Sequence, residues 1–137
     1  MNNIPENFKV HDRSSPVTKP WEPLYARRRD RAIDLLFEVK DAHCNSRGFL
    51  HGGVLTALCD NTMGMSLAVC FEGARPSIVT INLSVDFIGS ANIGELVLIE
   101  PTVIRAGNNI GFCEALVQCG DTAIARANAT FRVRLQK

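Results

Sequence analysis

The chain has 137 residues, 46% of them hydrophobic, and a net charge of +1, which fits one globular domain and excludes a global attraction to nucleic acid or to an anionic membrane. Its five cysteines include no Cys-x-x-Cys pair, so we expect reduced thiols rather than a disulfide framework or a metal site. Because the first ten residues also lack the basic and apolar segments of a signal peptide, we predict a cytoplasmic protein.

The N-terminal residues are rich in proline. Four prolines fall within residues 1–24 and discourage long regular structure, so we predict an irregular lead-in before a single domain that spans residues 25–137. Three consecutive arginines follow at positions 27–29. This cluster is either a solvated surface run or a contact for a phosphate group.

A strand and a long helix come next. Apolar and polar residues alternate from Ile33 to Lys40, which predicts a half-buried strand. After a polar loop, an apolar segment runs from Val54 to Phe71 and contains one carboxylate, Asp60. Its apolar residues cover more than one face, so we predict a helix that is surrounded by protein and not a membrane span.

The remaining chain has the pattern of strands. We predict them near Thr80–Phe87, Leu96–Arg105, Ile110–Cys119 and Thr122–Leu135, joined mostly by tight turns. Short connections require antiparallel pairing. The fold class is therefore α+β, with one long central helix wrapped by a curved antiparallel sheet of five to six strands.

The start of the helix carries a resemblance to a known family. Asn45, His51, Gly52, Gly53 and Asp60 match, at every spacing, the residues that open the helix in hotdog-fold acyl-CoA thioesterases of the phenylacetate-degradation type. The resemblance covers roughly residues 30–135. It implies a hotdog fold and hydrolysis of an aromatic or medium-chain acyl-CoA, with no cofactor, since CoA is part of the substrate.

The resemblance also implies catalytic roles. The N–H of Gly52 would stabilise an oxyanion, Asp60 would act as general base or nucleophile, and the amide of Asn45 would orient water or the thioester carbonyl. Thr80 would hold the water, although alternation along its strand places it on the polar side. We expect His51 to hold the loop by a hydrogen bond.

Ordinary structural roles compete with these assignments. The glycines could simply permit a tight start to the helix, Asn45 could form a turn, and Asp60 could bond to backbone or to a neighbouring helix. Three further residues are predicted substrate contacts. Gly53 leaves room for the carbonyl, Met63 would line the acyl pocket unless it is plain core, and Arg105, with the arginines at 27–29, would meet CoA phosphates.

The distance between the two ends of the site predicts a dimer. Gly52 and Asp60 lie about 12 Å apart along the helix axis at 1.5 Å per residue, too far to act on one thioester. In hotdog dimers two helices run side by side and antiparallel, so the Asn45 and Gly52 of one subunit would face the Asp60 and Thr80 of the other. We predict a homodimer with composite sites, assembled further into a homotetramer, and no nucleic-acid or membrane partner.

Two other functions stay open. One is a non-catalytic acyl-CoA-binding hotdog protein, which should lack the helix carboxylate that this chain has at Asp60. The other is a hotdog hydratase or dehydratase. We expect an Asp-x4-His pair in such a hydratase, and no such pair occurs in this sequence.

Overall fold

One helix and seven strands make up the computed structural model, which describes residues 4–136. The elements are β1 Lys9–Val10, β2 Tyr25–Arg29, β3 Ala32–Glu38, α1 Gly52–Ala68, β4 Arg75–Phe87, β5 Leu96–Ala106, β6 Ile110–Cys119 and β7 Thr122–Gln136. Short 3₁₀ turns cover Lys19–Trp21 and Asp41–His43. The strands form one antiparallel sheet in the order β1-β2-β3-β5-β6-β7-β4.

The helix lies against the sheet along most of its width. It contacts β3, β4, β5, β6 and β7, so the predicted arrangement of one helix wrapped by an antiparallel sheet is confirmed. The sheet has seven strands instead of five to six. The additional strands are β1 and β2. β1 has only two residues and β2 ends in three arginines, so neither shows the alternation that marks a strand.

Close packing of α1 depends on small residues beneath it. Three alanines of β7, at positions 125, 127 and 129, are buried in the core, as the alternation of that strand predicts. On β6, a Cβ added at Gly111 would stand 2.5 Å from the side chain of Leu67. Only glycine therefore lets this part of the sheet approach the helix.

Two polar contacts anchor β3. The hydroxyl of Ser66 accepts a hydrogen bond from the N–H of Ile33 at 3.0 Å and donates to the carbonyl of Ile33 at 3.1 Å. These bonds fix residue 33 opposite residue 66 of the helix. On the other face of β3, Asp34 is 0% exposed, although the alternation of this strand places it among the polar positions.

Two arginines make the burial of Asp34 possible. Arg27 donates to its carboxylate at 2.6 and 2.9 Å, and Arg29 donates at 2.8 to 3.0 Å. The hydrogen bonds between Arg29 and Asp34 raise the pKa of Arg29 above its ordinary value. A buried carboxylate is tolerated when it is paired and fully hydrogen-bonded, so this ion cluster is part of the fold.

Candidate active site

A cavity of about 590 Å³ opens beside the C-terminal half of α1. Its walls come from the N-terminal segment, β2, β3, α1, β4 and β7. Asp60 and Thr80 are among its polar lining, and Met65 and Ile78 are among its apolar lining. The cavity therefore combines a carboxylate with an apolar surface, which is the general composition of a small-molecule site.

Asp60 is held by one short hydrogen bond. The hydroxyl of Thr80 donates to Oδ1 of Asp60 at 2.7 Å. The side chain is half-buried, and no cationic group within residues 4–136 forms an ion pair with it. The second carboxylate oxygen, Oδ2, has no protein partner in that range, so it is available to a ligand or to water.

A β-bulge brings Thr80 to this position. The pairing register of β4 with β7 shifts between Thr80 and Asn82, and Thr80 pairs with the buried Phe131. Ile81 is the extra residue and is 57% exposed. The face predicted for Ile81 by simple alternation is therefore wrong, because a bulge reverses which residues of a strand point inward.

The start of α1 presents a free donor. His51 is the N-cap residue, and its Nδ1 accepts a hydrogen bond from the N–H of Gly53 at 2.8 Å. The N–H of Gly52 has no acceptor among the described residues. It lies at the positive end of the helix dipole, and a Cβ at Gly52 would stand 3.1 Å from the ring of Phe87. A side chain at position 52 would therefore crowd this ring.

Asn45 has both a structural part and a free part. Its Oδ1 accepts hydrogen bonds from the N–H of Arg47 at 2.9 Å and of Phe49 at 3.2 Å. The turn role is therefore present. The side-chain NH₂ has no acceptor in the described chain, so only this donor is left to reach a substrate.

The structure brings the predicted residues together in two groups. Asp60 and Thr80 line the cavity, whereas Asn45, His51 and Gly52 do not. Gly52 and Asp60, one from each group, lie about 12 Å apart along the helix axis by its rise per residue. Within a single chain the two groups are therefore separate.

Other predicted contacts lie elsewhere. Met63, predicted to line the acyl pocket, is 0% exposed in the core, and this corrects the prediction. Residues one helical turn apart share a face, so Asp60 and Gly64 face the cavity with Met65 while Met63 faces the sheet. Arg105 is exposed on β5 and does not line the cavity of Asp60.

Local patterns in the sequence did not indicate three groups near the site. His11 and Arg13 line the cavity, and Phe87 lies over Gly52. All three belong to segments that are brought in by tertiary structure. Met65 also lines the cavity, and its place in the apolar helix makes it a candidate for the acyl pocket.

The cysteine beside the catalytic candidate is chemically inert. Cys59 is fully buried, and burial raises the pKa of its thiol to about 12. A nucleophilic cysteine must be a thiolate, so this burial disfavours Cys59 as the nucleophile. Within residues 4–136, all cysteines are unpaired. In the same range no group of three or more metal-ligating side chains occurs, and no helix there is long and apolar enough to cross a membrane.

A buried histidine supports the loop that carries Asn45. Nδ1 of His43 accepts from the N–H of Lys40 at 2.9 Å, and its Nε2 lies 3.0 Å from the carbonyl oxygen of Trp21. Because Nδ1 acts as the acceptor, the ring is neutral and Nε2–H donates to Trp21. The carbonyl of His43 in turn accepts from the N–H of His51 at 2.8 Å. His43 thus connects the N-terminal segment to the start of the helix.

We predict that the stability of the protein falls as the pH drops below 6.5. Burial is the largest cause that lowers the pKa of His43 from 6.5, and nearby Lys40 adds to it. The stability contributed by the neutral ring is fully present above pH 6.5 and is lost as the pH falls towards the lowered pKa of the folded state. Urea unfolding of the wild type from about pH 8 to about pH 5 measures this loss.

The matched control for this prediction is His43→Gln. Glutamine keeps a side-chain donor for Trp21 but does not titrate. Its unfolding free energy should be lower at neutral pH and should change less between pH 7 and pH 5. An equal pH dependence in the variant and the wild type would contradict the role of His43.

Comparison with known proteins identifies the family. Residues 47–126, more than half of the chain, match the model of the thioesterase superfamily. PA0474 of Pseudomonas aeruginosa, provisionally named an esterase, is 31% identical over 134 residues, which cover 97% of this chain and 99% of that protein. Human acyl-coenzyme A thioesterase 13 is 32% identical over 75 residues, 55% of this chain and 52% of that protein.

A solved structure shares the fold. The hypothetical thioesterase of Streptococcus pneumoniae with coenzyme A superposes with a TM-score of 0.76 at 20% identity, covering 85% of this chain and 93% of that one. Together with the family match and the bacterial relative, this places the chain in the thioesterase superfamily, as a thioester hydrolase with the hotdog fold.

Proposed function

We propose that the protein hydrolyses acyl-CoA thioesters at two composite sites of a homodimer. The observation that carries this proposal is the 2.7 Å hydrogen bond from Thr80 to Asp60, which orients an unpaired carboxylate in a cavity. The choice of CoA as the thiol is supported by the acyl-coenzyme A thioesterase name of the human relative and by the coenzyme A in the S. pneumoniae structure.

The Thr80–Asp60 pair is suited to hold a water molecule. The Thr80 hydroxyl donates a hydrogen bond to Oδ1, so its oxygen can still accept a hydrogen bond from one O–H of a water molecule. Oδ2 of Asp60 can accept a hydrogen bond from the other O–H of the same water. The water then presents its own lone pair to the thioester carbon. As the C–O bond forms, Asp60 takes a proton from the water; the C–S bond then breaks, and CoA leaves as a thiolate that recovers the proton.

A second route uses the same carboxylate as a nucleophile. Attack by Asp60 on the thioester carbon would expel the CoA thiolate and leave an acyl anhydride, which water then hydrolyses. A single turnover in ¹⁸O-labelled water tests for this route. Label in the Asp60 carboxylate indicates an anhydride that water opens at the Asp60 carbonyl. Label in the acid product alone is given both by direct attack of water on the thioester and by attack of water on the acyl carbonyl of the anhydride.

The free donors at the helix start complete the reaction. The N–H of Gly52 can stabilise the negative charge that develops on the carbonyl oxygen, and the NH₂ of Asn45 can bind the same carbonyl or the water. Because these donors are about 12 Å from Asp60 in one chain, each site would take them from the partner subunit. Each dimer then has two equivalent sites.

The exposed edge of the sheet supports a dimer. β4 is a 13-residue edge strand, and β7 is its one pairing partner among residues 4–136. Its apolar residues Val79 and Ile81 are 60% and 57% exposed. A long apolar edge of this kind is a template for pairing with another chain. Antiparallel pairing of two copies of β4 about a two-fold axis would set the two helices side by side. We also propose that two such dimers form a homotetramer.

We predict that Ile81→Asp converts the dimer into monomers and abolishes most of the activity. The two-fold axis would place a carboxylate in the interface from each subunit, and unpaired buried charges cost several kcal/mol. The dimer dissociation constant should therefore rise by at least about 100-fold. Sedimentation velocity measures the mass, and thiol release measures the activity.

Ile104→Asp is the matched control. Ile104 is 59% exposed on β5, away from the edge of the sheet. This variant should not produce monomers. A dimer that survives Ile81→Asp unchanged would argue against β4 as the interface.

The function itself is tested with a panel of thioesters. We expect release of free CoA from at least one aromatic or medium-chain acyl-CoA, measured with a thiol reagent, and little cleavage of the corresponding oxygen esters. Tight binding of acyl-CoA without thiol release would favour the non-catalytic alternative. Addition of water to an enoyl-CoA without thiol release would favour the hydratase.

A further inference from the structure

The three consecutive arginines of β2 do not have one common role. Arg27 and Arg29 bind the buried Asp34 on one face of the sheet. Successive side chains of a strand point to opposite faces, so Arg28 points the other way. It lines the cavity that contains Asp60.

Arg28 has hydrogen-bond donors that the described residues do not use. Its Nε donates to the carbonyl of Arg29 at 3.0 Å, but its terminal amino groups have no acceptor within residues 4–136. Arg13, which also lines the cavity, forms no hydrogen bond or ion pair with the described residues. His11 lines the same cavity. The cavity lining also contains two carboxylates, Asp12 and Asp60, and neither forms an ion pair with these guanidinium groups in the described part of the chain.

Arg28 lies at a defined distance from Asp60 along the helix axis. Arg28 pairs with Ile33 across the sheet, and Ile33 is fixed to Ser66 of the helix. Ser66 is six positions after Asp60, which places this level about 9 Å along the helix axis. The cavity wall between them includes the apolar Met65. A ligand with its thioester at Asp60 and an anionic group beyond an apolar stretch would match this layout.

We infer that Arg13 and Arg28, with His11, form an anion-binding subsite for the substrate at the mouth of the Asp60 cavity. Guanidinium groups bind phosphate and carboxylate oxygens in pairs. The anionic group is a phosphate of CoA or a carboxylate at the far end of the acyl group. The inference rests on the proposed hydrolysis of acyl-CoA, and none of the three residues lies within the family-matched range of 47–126.

The test compares Arg28→Gln and Arg13→Gln with Arg31→Gln. Arg31 follows β2 in sequence but does not line the cavity, so it controls for the loss of one charge. Each variant is assayed with an acyl-CoA, with the N-acetylcysteamine thioester of the same acid, and with dicarboxylic analogues of both. Because Arg28 and Arg13 are exposed, thermal unfolding of these variants should match the wild type.

The two sources of the anion give different results. Loss of one charged contact should raise KM about 10- to 100-fold with little change in kcat. A phosphate partner gives this defect with CoA thioesters and not with N-acetylcysteamine thioesters. A carboxylate partner gives it with dicarboxylic substrates on either carrier. Variants at positions 13 and 28 that behave like Arg31→Gln on every substrate overturn the inference.

Calorimetry separates this inference from the proposed function. If the wild type cleaves none of the thioesters, the proposed function fails, and the subsite is then tested with CoA and with glutarate as probes. Weaker binding of either probe to Arg28→Gln than to Arg31→Gln supports the subsite. Equal binding by both variants, or no binding of either probe to the wild type, overturns it.

Discussion

Asp60→Asn should lower kcat/KM for acyl-CoA hydrolysis by about 10²- to 10⁴-fold, the range expected when a general base is removed. The amide oxygen of asparagine can still accept the hydrogen bond from Thr80, so the shape of the cavity is kept. What is lost is the ability to take a proton from water or to attack the thioester. The measurement is thiol release over a range of substrate concentrations, with CoA binding measured in parallel.

Two further variants make this result specific. Asn61→Ala changes the neighbouring residue, which lines the same cavity, and should leave kcat nearly unchanged. Thr80→Val keeps the shape of the side chain but removes the hydroxyl, so kcat should fall by less than it does in Asp60→Asn. Hydrolysis by Asp60→Asn at the wild-type rate would remove Asp60 from the mechanism.

Mixing two inactive variants should restore activity if the sites are composite. One variant is Asp60→Asn. The other is Asn45→Asp, which keeps oxygen acceptors for the loop N–H groups of Arg47 and Phe49 but removes the NH₂ donor. Each homodimer carries the same defect in both of its sites. In the mixed dimer both defects fall in one site, and the other site is intact.

The size of the recovery follows from symmetry. Random re-association of equal amounts makes half of the dimers mixed, and each has one good site of two, so about a quarter of the wild-type activity should return. Sites built within one chain would each keep a single defect, and mixing would then restore nothing. Recovery should appear only after the subunits have exchanged, which labelled subunits can follow.

Regular periodicity in the sequence predicts most of the fold. Alternation predicts the strand Ile110–Cys119 with the bounds that it has in the structure, and the apolar segment after residue 50 predicts the helix within two or three residues. Both signals are local, since each reflects which face of one element is buried. The expected antiparallel order follows from the short turns between strands.

The departures come from contacts between distant parts of the chain. Asp34 is buried because Arg27 and Arg29 of a neighbouring strand reach it, and no local pattern contains that information. The bulge at Ile81 depends on how β4 pairs with β7. The bulge turns Thr80 towards Asp60. Simple alternation had placed Thr80 on the polar face of the strand, away from the site where it was expected to hold a water molecule, and the bulge removes this conflict.

The sequence by itself determined the family, the helix that begins with His51-Gly52-Gly53, and the carboxylate at Asp60. These depend on residue types at fixed spacing along one helix, and a helix converts spacing directly into geometry. Only the tertiary structure decided that Thr80 bonds to Asp60, that Met63 belongs to the core, and that Arg28 faces the cavity. Such contacts join segments that are far apart in the chain, so strand register and packing decide them rather than local periodicity.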